Sequence, residues 1–357
     1  MKNGKLTHYG LFYRAARVEQ AQIADVVRRP TSSRTNVPRS LGACSYSLSI
    51  PALGNMLNKL ESECLTINQD GGLTSMSIET LGIVGAGQMG NGIAQVAAGV
   101  GIRVQMMDVG AAQLEKGLAT IAGSCDRLIK KEKMTQDQKR ELLARIQTST
   151  DIKSLANCEF VVEAATENID LKLKIFKQLD EAVKKSAILC TNTSSISVTK
   201  IAAVTSRPEL VAGMHFMNPV PLMQLVEGIR GLQTADSTFA TTRGLAEKMG
   251  KTFIEGRDMP GFVVNRILMP MINEAFYALY EGIADAKSID EAMKLGTNQP
   301  MGPLALADFI GLDTCLSIMQ VLNHGLGDTK YRPCPLLIKY VEAGWYGRKN
   351  GRGIYSY

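Results

Sequence analysis

The chain has 357 residues, 45% hydrophobic and 21% charged, an ordinary globular balance with room for two domains. A net charge of +6 does not mark a nucleic-acid binder. The first 75 residues carry nine Lys/Arg against five Asp/Glu, and the rest is nearly neutral at 31 against 29. Seven cysteines without a C-x-x-C spacing exclude a disulfide framework and a zinc site, so no metal is expected.

No apolar run reaches the ~20 residues of a membrane span, and a cytoplasmic or organelle-matrix location is expected. Residues 1–75 are read as an N-terminal extension without sustained periodicity, rich in turn-formers such as Pro30, Thr31, Ser32 and Ser33. Residues 1–40 hold eight Lys/Arg against two acids. Two readings stand: a mitochondrial-type targeting segment, or a disordered tail or upstream stretch ahead of a true start at Met76. Glu19, Asp25, Glu61 and Glu63 weigh against the first.

From Thr80 the pattern is regular. An apolar strand over 81–84 leads to a helix from Met89 to about Val100, and a second strand covers 103–108. Helices are predicted over 111–133 and 136–146, then a buried strand at 160–162. The next helix places Leu171, Ile175, Leu179 and Val183 on one face. Further strands are predicted at 188–190, 210–216, 222–229 and 252–254. Strands alternating with helices make a mostly parallel, doubly wound sheet of Rossmann type over 76–258.

Beyond Pro260 the strands stop. Helices are predicted over 262–280, 289–296, 304–326 and 336–343, the second opened by a capping box from Ser288 to Glu291. Residues 259–357 therefore form an all-helical C-terminal domain. The fold class is α/β with this helical domain appended.

Gly85-Ala86-Gly87-Gln88-Met89-Gly90 fits G-x-G-x-x-G between a strand and a helix. Gly85 makes the tight turn, Gly87 lets a pyrophosphate approach, and Gly90 allows helix to pack on strand. Asp108 ends the second strand at the position of a ribose-binding acid. It would repel a 2′-phosphate, and no Arg follows it, so the cofactor is NAD.

Outside the extension there are only two histidines, His215 and His324. His215 ends one apolar strand, and Glu227 ends the next. A carboxylate beside an imidazole raises its basicity and fixes its tautomer, which suits the base that an alcohol needs as it gives up hydride. Asn192-Thr-Ser-Ser195 follows another strand. It is equally a helix N-cap or a hydroxyl holder for a substrate oxygen.

These motifs, with Gly213-Met-His-Phe-Met-Asn-Pro-Val-Pro221, Pro260-Gly-Phe-Val-Val-Asn-Arg266, Met301-Gly-Pro-Leu and Gly351-Arg-Gly-Ile-Tyr, resemble the short-chain 3-hydroxyacyl-CoA dehydrogenases of the bacterial 3-hydroxybutyryl-CoA type. The resemblance runs from about Ile78 to Tyr357. It implies that His215 is the base with Glu227 as partner, and that Ser194 and Asn265 hydrogen-bond the reacting oxygen. It places Asn218 beside the nicotinamide, makes Asn192, Ser194, Glu167, Lys172 and Lys349 cofactor contacts, and sets Ser124 and Lys131 on the coenzyme A moiety. An acyl-CoA substrate and a homodimer through the helical domain are likewise implied. Two other readings stay open: a dehydrogenase of a free hydroxy acid on the same scaffold, and an NAD-binding protein without catalysis.

Overall fold

The computed structural model describes residues 78–357; the extension expected over 1–75, with Met76, lies outside them. Strand β1 (Thr80–Val84) is buried but for its first residue, and feeds helix α1 (Gln88–Gly99). β2 (Arg103–Met107) follows, then α2 (Ala111–Lys130) and α3 (Gln136–Ala144), the last opened by a Thr135–Gln138 capping box. Next come β3 (Ile146–Ser149), β4 (Phe160–Glu163), α4 (Ile169–Ala182), β5 (Ile188–Thr191) and the short α5 (Val198–Ala202). β6 (Val211–Phe216), β7 (Leu225–Arg230), α6 (Asp236–Lys248) and β8 (Thr252–Arg257) complete the α/β part.

The eight strands form one sheet in the order β3-β2-β1-β4-β5-β6-β7-β8. Every neighbouring pair is parallel except β6 and β7. The order turns back between β1 and β4, the switch point where doubly wound sheets open a crevice at their carboxyl ends. Buried apolar side chains cover both faces. Ile83, Ile93, Met106 and Phe160 belong to one core cluster, and Val161, Phe176, Leu189 and Ile229 to the other. Full burial of a side chain such as Phe176, with no exposed surface, contributes about 1.5–3 kcal/mol.

After β8 the chain is helical: α7 (Val264–Tyr280), α8 (Ala286–Thr297), α9 (Pro303–Ile310), α10 (Leu312–Leu326) and α11 (Pro335–Glu342). Met269, Phe276, Leu312 and Met319 centre a third core there. Asp308, wholly buried, accepts the backbone N–H groups of Ile354 and Tyr355 and the Tyr357 hydroxyl, which ties the chain end to α9. No single helix among the described residues is long and apolar enough to cross a membrane.

Several elements differ from the sequence-based expectation. The helix expected to reach Ile146 stops at Ala144, because Ile146–Ser149 pairs in parallel with the open edge of β2. The expected helix over 304–326 is two helices, broken at Gly311, whose φ of 106° no ordinary helix accommodates, and bent by 99°. Helix α8 starts at Ala286, two residues before Ser288, with Asp285 as its cap. On α4 the buried face runs through Lys172, Phe176 and Leu179, while Leu171 is 40% exposed. An apolar residue is drawn outward there because it borders a cavity. β7 begins only at Leu225, since residues 219–223 form a turn with Leu222 and Met223 donating to the Pro219 carbonyl.

A Cβ on Gly90 would lie 1.8 Å from the Gly85 carbonyl oxygen, whereas one on Gly87 would meet nothing within 4 Å. Gly90→Ala should therefore cost about 3 kcal/mol as α1 is pushed from β1, and Gly87→Ala under about 1 kcal/mol, the scale of a poorer N-cap. Urea denaturation of both variants tests this; equal losses would refute the packing assigned to Gly90.

Candidate active site

The glycine loop sits on the crest of the sheet. Gly85 takes φ 101°, and a Cβ there would press to 2.7 Å from the Ala164 carbonyl oxygen. The Gly85 N–H donates to the Met107 carbonyl at 2.7 Å, which ties the loop to the end of β2. Asp108 follows β2 and straps the loop a second time. One carboxylate oxygen accepts the Ala86 N–H at 2.8 Å, and the other accepts the Gly110 N–H at 3.1 Å. Each oxygen keeps lone-pair capacity for a further donor, such as a ribose hydroxyl.

Beside it lies a cavity of about 490 Å³, lined among others by Gly87, Asp108, Leu171, Lys174, Ile175 and Gln178. Helix α1 opens at Gly87 with no side-chain cap and no acid in its first turn. Its leading N–H groups and dipole are thus left for an anion. Open space at Gly87, an uncapped helix and an acid at the cavity wall fit NAD. The sequence pattern assigned Leu171 and Ile175 to the core. Leu171 is exposed and lines the cavity, while Ile175 is half-buried, packing on the core and lining the cavity as well.

The antiparallel pairing of β6 and β7 sets His215 directly opposite Glu227. Cross-strand partners share a sheet face, and His215 Nδ1 lies 2.7 Å from Glu227 Oε2. Glu227 does not end its strand, as expected from sequence; it is the third residue of β7. The other oxygen, Oε1, accepts the backbone N–H groups of Val263 and Val264 at 2.9 Å each, at the first turn of α7. Burial pushes the Glu227 carboxyl up, but the His215 bond and the two N–H donors outweigh it and hold it below its ordinary value. An ionised carboxylate on Nδ1 takes the Nδ1–H, which leaves Nε2 as a lone-pair nitrogen. Nε2 has no hydrogen-bond partner among the described residues, and His215 is 8% exposed. The ring leans on Phe262 at a centroid distance of 5.8 Å.

Ser194 and Asn265 meet beside this pair, though not as two free donors. Asn265 Nδ2 donates to the Ser194 carbonyl at 3.5 Å, and the Ser194 hydroxyl donates to Glu167 at 3.2 Å. Glu167 also accepts from Thr193 and Ser195. Burial raises its carboxyl, but the Lys172 charge and these hydrogen bonds outweigh that and hold it below its ordinary value. Lys172 is no surface charge. Only 1% exposed, it is held 2.6 Å from the fully buried Glu163 and 3.5 Å from Glu167. Sequence reasoning passed over Glu163; an acid closing an otherwise apolar strand was the available signal. The helix-cap reading of Asn192–Ser195 fails, since Ser197 caps α5 with Asp258 receiving its first N–H groups. Asn192 Oδ1 accepts the Phe216 N–H instead, holding the residue after His215.

Asn218 lies across from the glycine loop, where its Oδ1 accepts from Gln88 Nε2 at 3.0 Å. Met89 packs against the core beneath. Lys349 is bound to Asp313 and Thr314, at 2.7 and 2.8 Å, within the helical part. Ser124 is half-buried on α2, and Lys131 is exposed at its C-terminus. Neither is brought to His215 by a contact among the described residues.

Comparison with known proteins agrees with this arrangement. Residues 80–259 match the model of the 3-hydroxyacyl-CoA dehydrogenase NAD binding domain, and residues 261–357 match the 3-hydroxyacyl-CoA dehydrogenase C-terminal domain. A 3-hydroxybutyryl-CoA dehydrogenase of Bradyrhizobium diazoefficiens is 56% identical over 280 residues, covering 78% of this chain and 96% of that protein. A probable 3-hydroxybutyryl-CoA dehydrogenase of Bacillus subtilis is 55% identical over 282 residues, covering 79% and 98%. The crystal structure of (S)-3-hydroxybutyryl-CoA dehydrogenase from Ralstonia eutropha is 58% identical with a TM-score of 0.77, covering 79% of this chain and 99% of that one. The chain belongs to the 3-hydroxyacyl-CoA dehydrogenase family and is an NAD-dependent oxidoreductase.

Folded Glu227 and Glu167 are both held below the ordinary glutamate value, so the unfolded chain binds more protons in mild acid. Their stabilisation is complete above about pH 5 and is lost as pH falls through the depressed folded values. Melting temperature should be level above that point and fall below it. Glu227→Gln should melt lower at neutral pH and lose part of the acid dependence; an unchanged acid slope would show that Glu227 carries none of it.

Proposed function

We propose that this dehydrogenase oxidises the C3 hydroxyl of a short-chain (S)-3-hydroxyacyl-CoA, 3-hydroxybutyryl-CoA above all, to the 3-oxoacyl-CoA, with His215 and Glu227 as its acid–base pair. One observation carries the reading. Nδ1 of His215 is committed to an ionised carboxylate while Nε2 is left free, the arrangement of a general base. The names of the bacterial relatives support the substrate class.

NAD, when bound, supplies the hydride acceptor. His215 Nε2 removes the hydroxyl proton, and Glu227 stabilises the imidazolium that forms. Ser194 and Asn265 orient the substrate oxygen, and in the reverse direction His215 returns the proton. Asn218 borders the nicotinamide end, and Asp108 the adenosine end. Glu167, Lys172 and Lys349 complete the cofactor surroundings, while Ser124 and Lys131 receive the coenzyme A moiety.

The working unit in this reading is a homodimer through the helical domain. Ile267, Ile283 and Leu295 are 68%, 73% and 85% exposed there, apolar area that a second copy would bury. The enzyme is placed in the cytoplasm or an organelle matrix; the five described cysteines, all free, suit a reducing compartment.

His215→Gln should leave NADH affinity unchanged and lower kcat for acetoacetyl-CoA reduction by about 10²–10⁴, the usual scale of acid–base catalysis. Unaltered turnover would remove His215 from the mechanism. Turnover of free acetoacetate equal to that of its CoA thioester would displace the acyl-CoA assignment.

A further inference from the structure

A carboxylate oxygen offers two lone pairs, yet Glu167 Oε1 faces five donors. They are the hydroxyls of Thr193, Ser194 and Ser195 and the backbone N–H groups of Ser194 and Ser195. The oxygen is oversubscribed, and its donors are not held equally. The Ser195 hydroxyl lies at 2.9 Å and the Ser194 hydroxyl at 3.2 Å, the longest of the set. The Thr193 hydroxyl is fully committed, because its oxygen also accepts the Ser195 and Ile196 N–H groups. Ser194 can therefore leave Glu167 at the smallest cost, with its own N–H still bonded at 2.9 Å.

The acceptor itself cannot follow the departing hydroxyl. Glu167 Oε2 faces Lys172, and Lys172 is pinned to Glu163 and to the Ala165 carbonyl. Glu163 is fixed in turn by the Ala165 N–H and the Thr191 hydroxyl, at 2.7 and 2.8 Å. Thr191 is the last residue of β5, two before the turn. A run of charge, buried at Glu163 and Lys172 and partly exposed at Glu167, thus leads from the sheet crest to the serines.

The geometry points to Ser195 as a positioning residue that stays on Glu167 and releases the neighbouring Ser194 hydroxyl to the substrate oxygen, with the buried Glu163–Lys172 pair holding Glu167 in place. This rests on the reading that Ser194 bonds the reacting oxygen. Without the Ser195 hydroxyl, Glu167 would claim Ser194 more often, and the substrate oxygen would lose its donor in part of the population. Ser195 then acts on turnover through Ser194 and not through NAD.

The test is a double-mutant cycle in acetoacetyl-CoA reduction, with NADH affinity measured separately by fluorescence quenching. Ser195→Ala should lower kcat about tenfold, within the range that misplaced catalytic groups cost, with NADH affinity within twofold of the parent. In a Ser194→Ala background the same change should have no effect beyond twofold, since nothing remains to be released. Ser195→Thr, which restores a hydroxyl, should recover most of the rate. Glu163→Gln should likewise lower kcat if it folds, and the serine variants, with NADH affinity measured on them, decide the matter if it does not. Full activity of Ser195→Ala, or the same tenfold loss in both backgrounds, overturns the positioning role. Full activity of Ser194→Ala would instead remove the role of Ser194 itself, and the proposal with it.

Discussion

The bond between Glu227 and its two sets of partners is the constraint on which the site depends. Glu227 is 1% exposed, and an ionised carboxylate at that depth persists only if its oxygens are satisfied. One oxygen is satisfied by His215 and the other by the first turn of α7. The same charge thus orients the imidazole and caps the helix that carries Asn265. The α7 N-terminus has no side-chain cap of its own, so the positive end of its dipole is answered from β7. The sheet and the helical part are joined at Glu227, beside His215.

A second layer of buried charge supports the first. Glu163 and Lys172 lie beneath the crest with almost no exposure, close to where β1, β4 and β5 end in register at Val84, Glu163 and Thr191. Replacing such a pair by apolar residues is often neutral or stabilising, so bulk stability is a weak reason for it. Its hydrogen bonds instead lead to the turn carrying Ser194. The polar network therefore specifies geometry at the crest, while the apolar cores on either face of the sheet supply the burial.

Short-range features were legible from residue order. The glycine loop, the acid after β2 and the alternation of strands and helices each lie within a few residues of their own cause. Where the reading failed, a distant neighbour had intervened at Ile146 and Leu171, and a competing local cap at the start of α8. Ile146 became a strand because the edge of β2 was open, and Leu171 turned outward because a cavity adjoins α4. Helix α8 gained a turn because Asp285, not Ser288, supplied the cap. The break at Gly311 had a visible signal, a glycine inside a long apolar run, but the 99° bend reflects packing in the helical core.

By itself the sequence determined the α/β class, the dinucleotide loop and the presence of a histidine, an acid, a serine and an asparagine of the right chemistry. All of these follow from local periodicity and motif spacing, in which each residue is judged against near neighbours. Only the tertiary structure decided that β7 runs against β6 and so sets Glu227 opposite His215, that Lys172 is buried on Glu163, and that Glu167 gathers the serines. Those pairings join residues 9 to 28 positions apart. Sheet register and helix placement, which no local pattern encodes, bring them together.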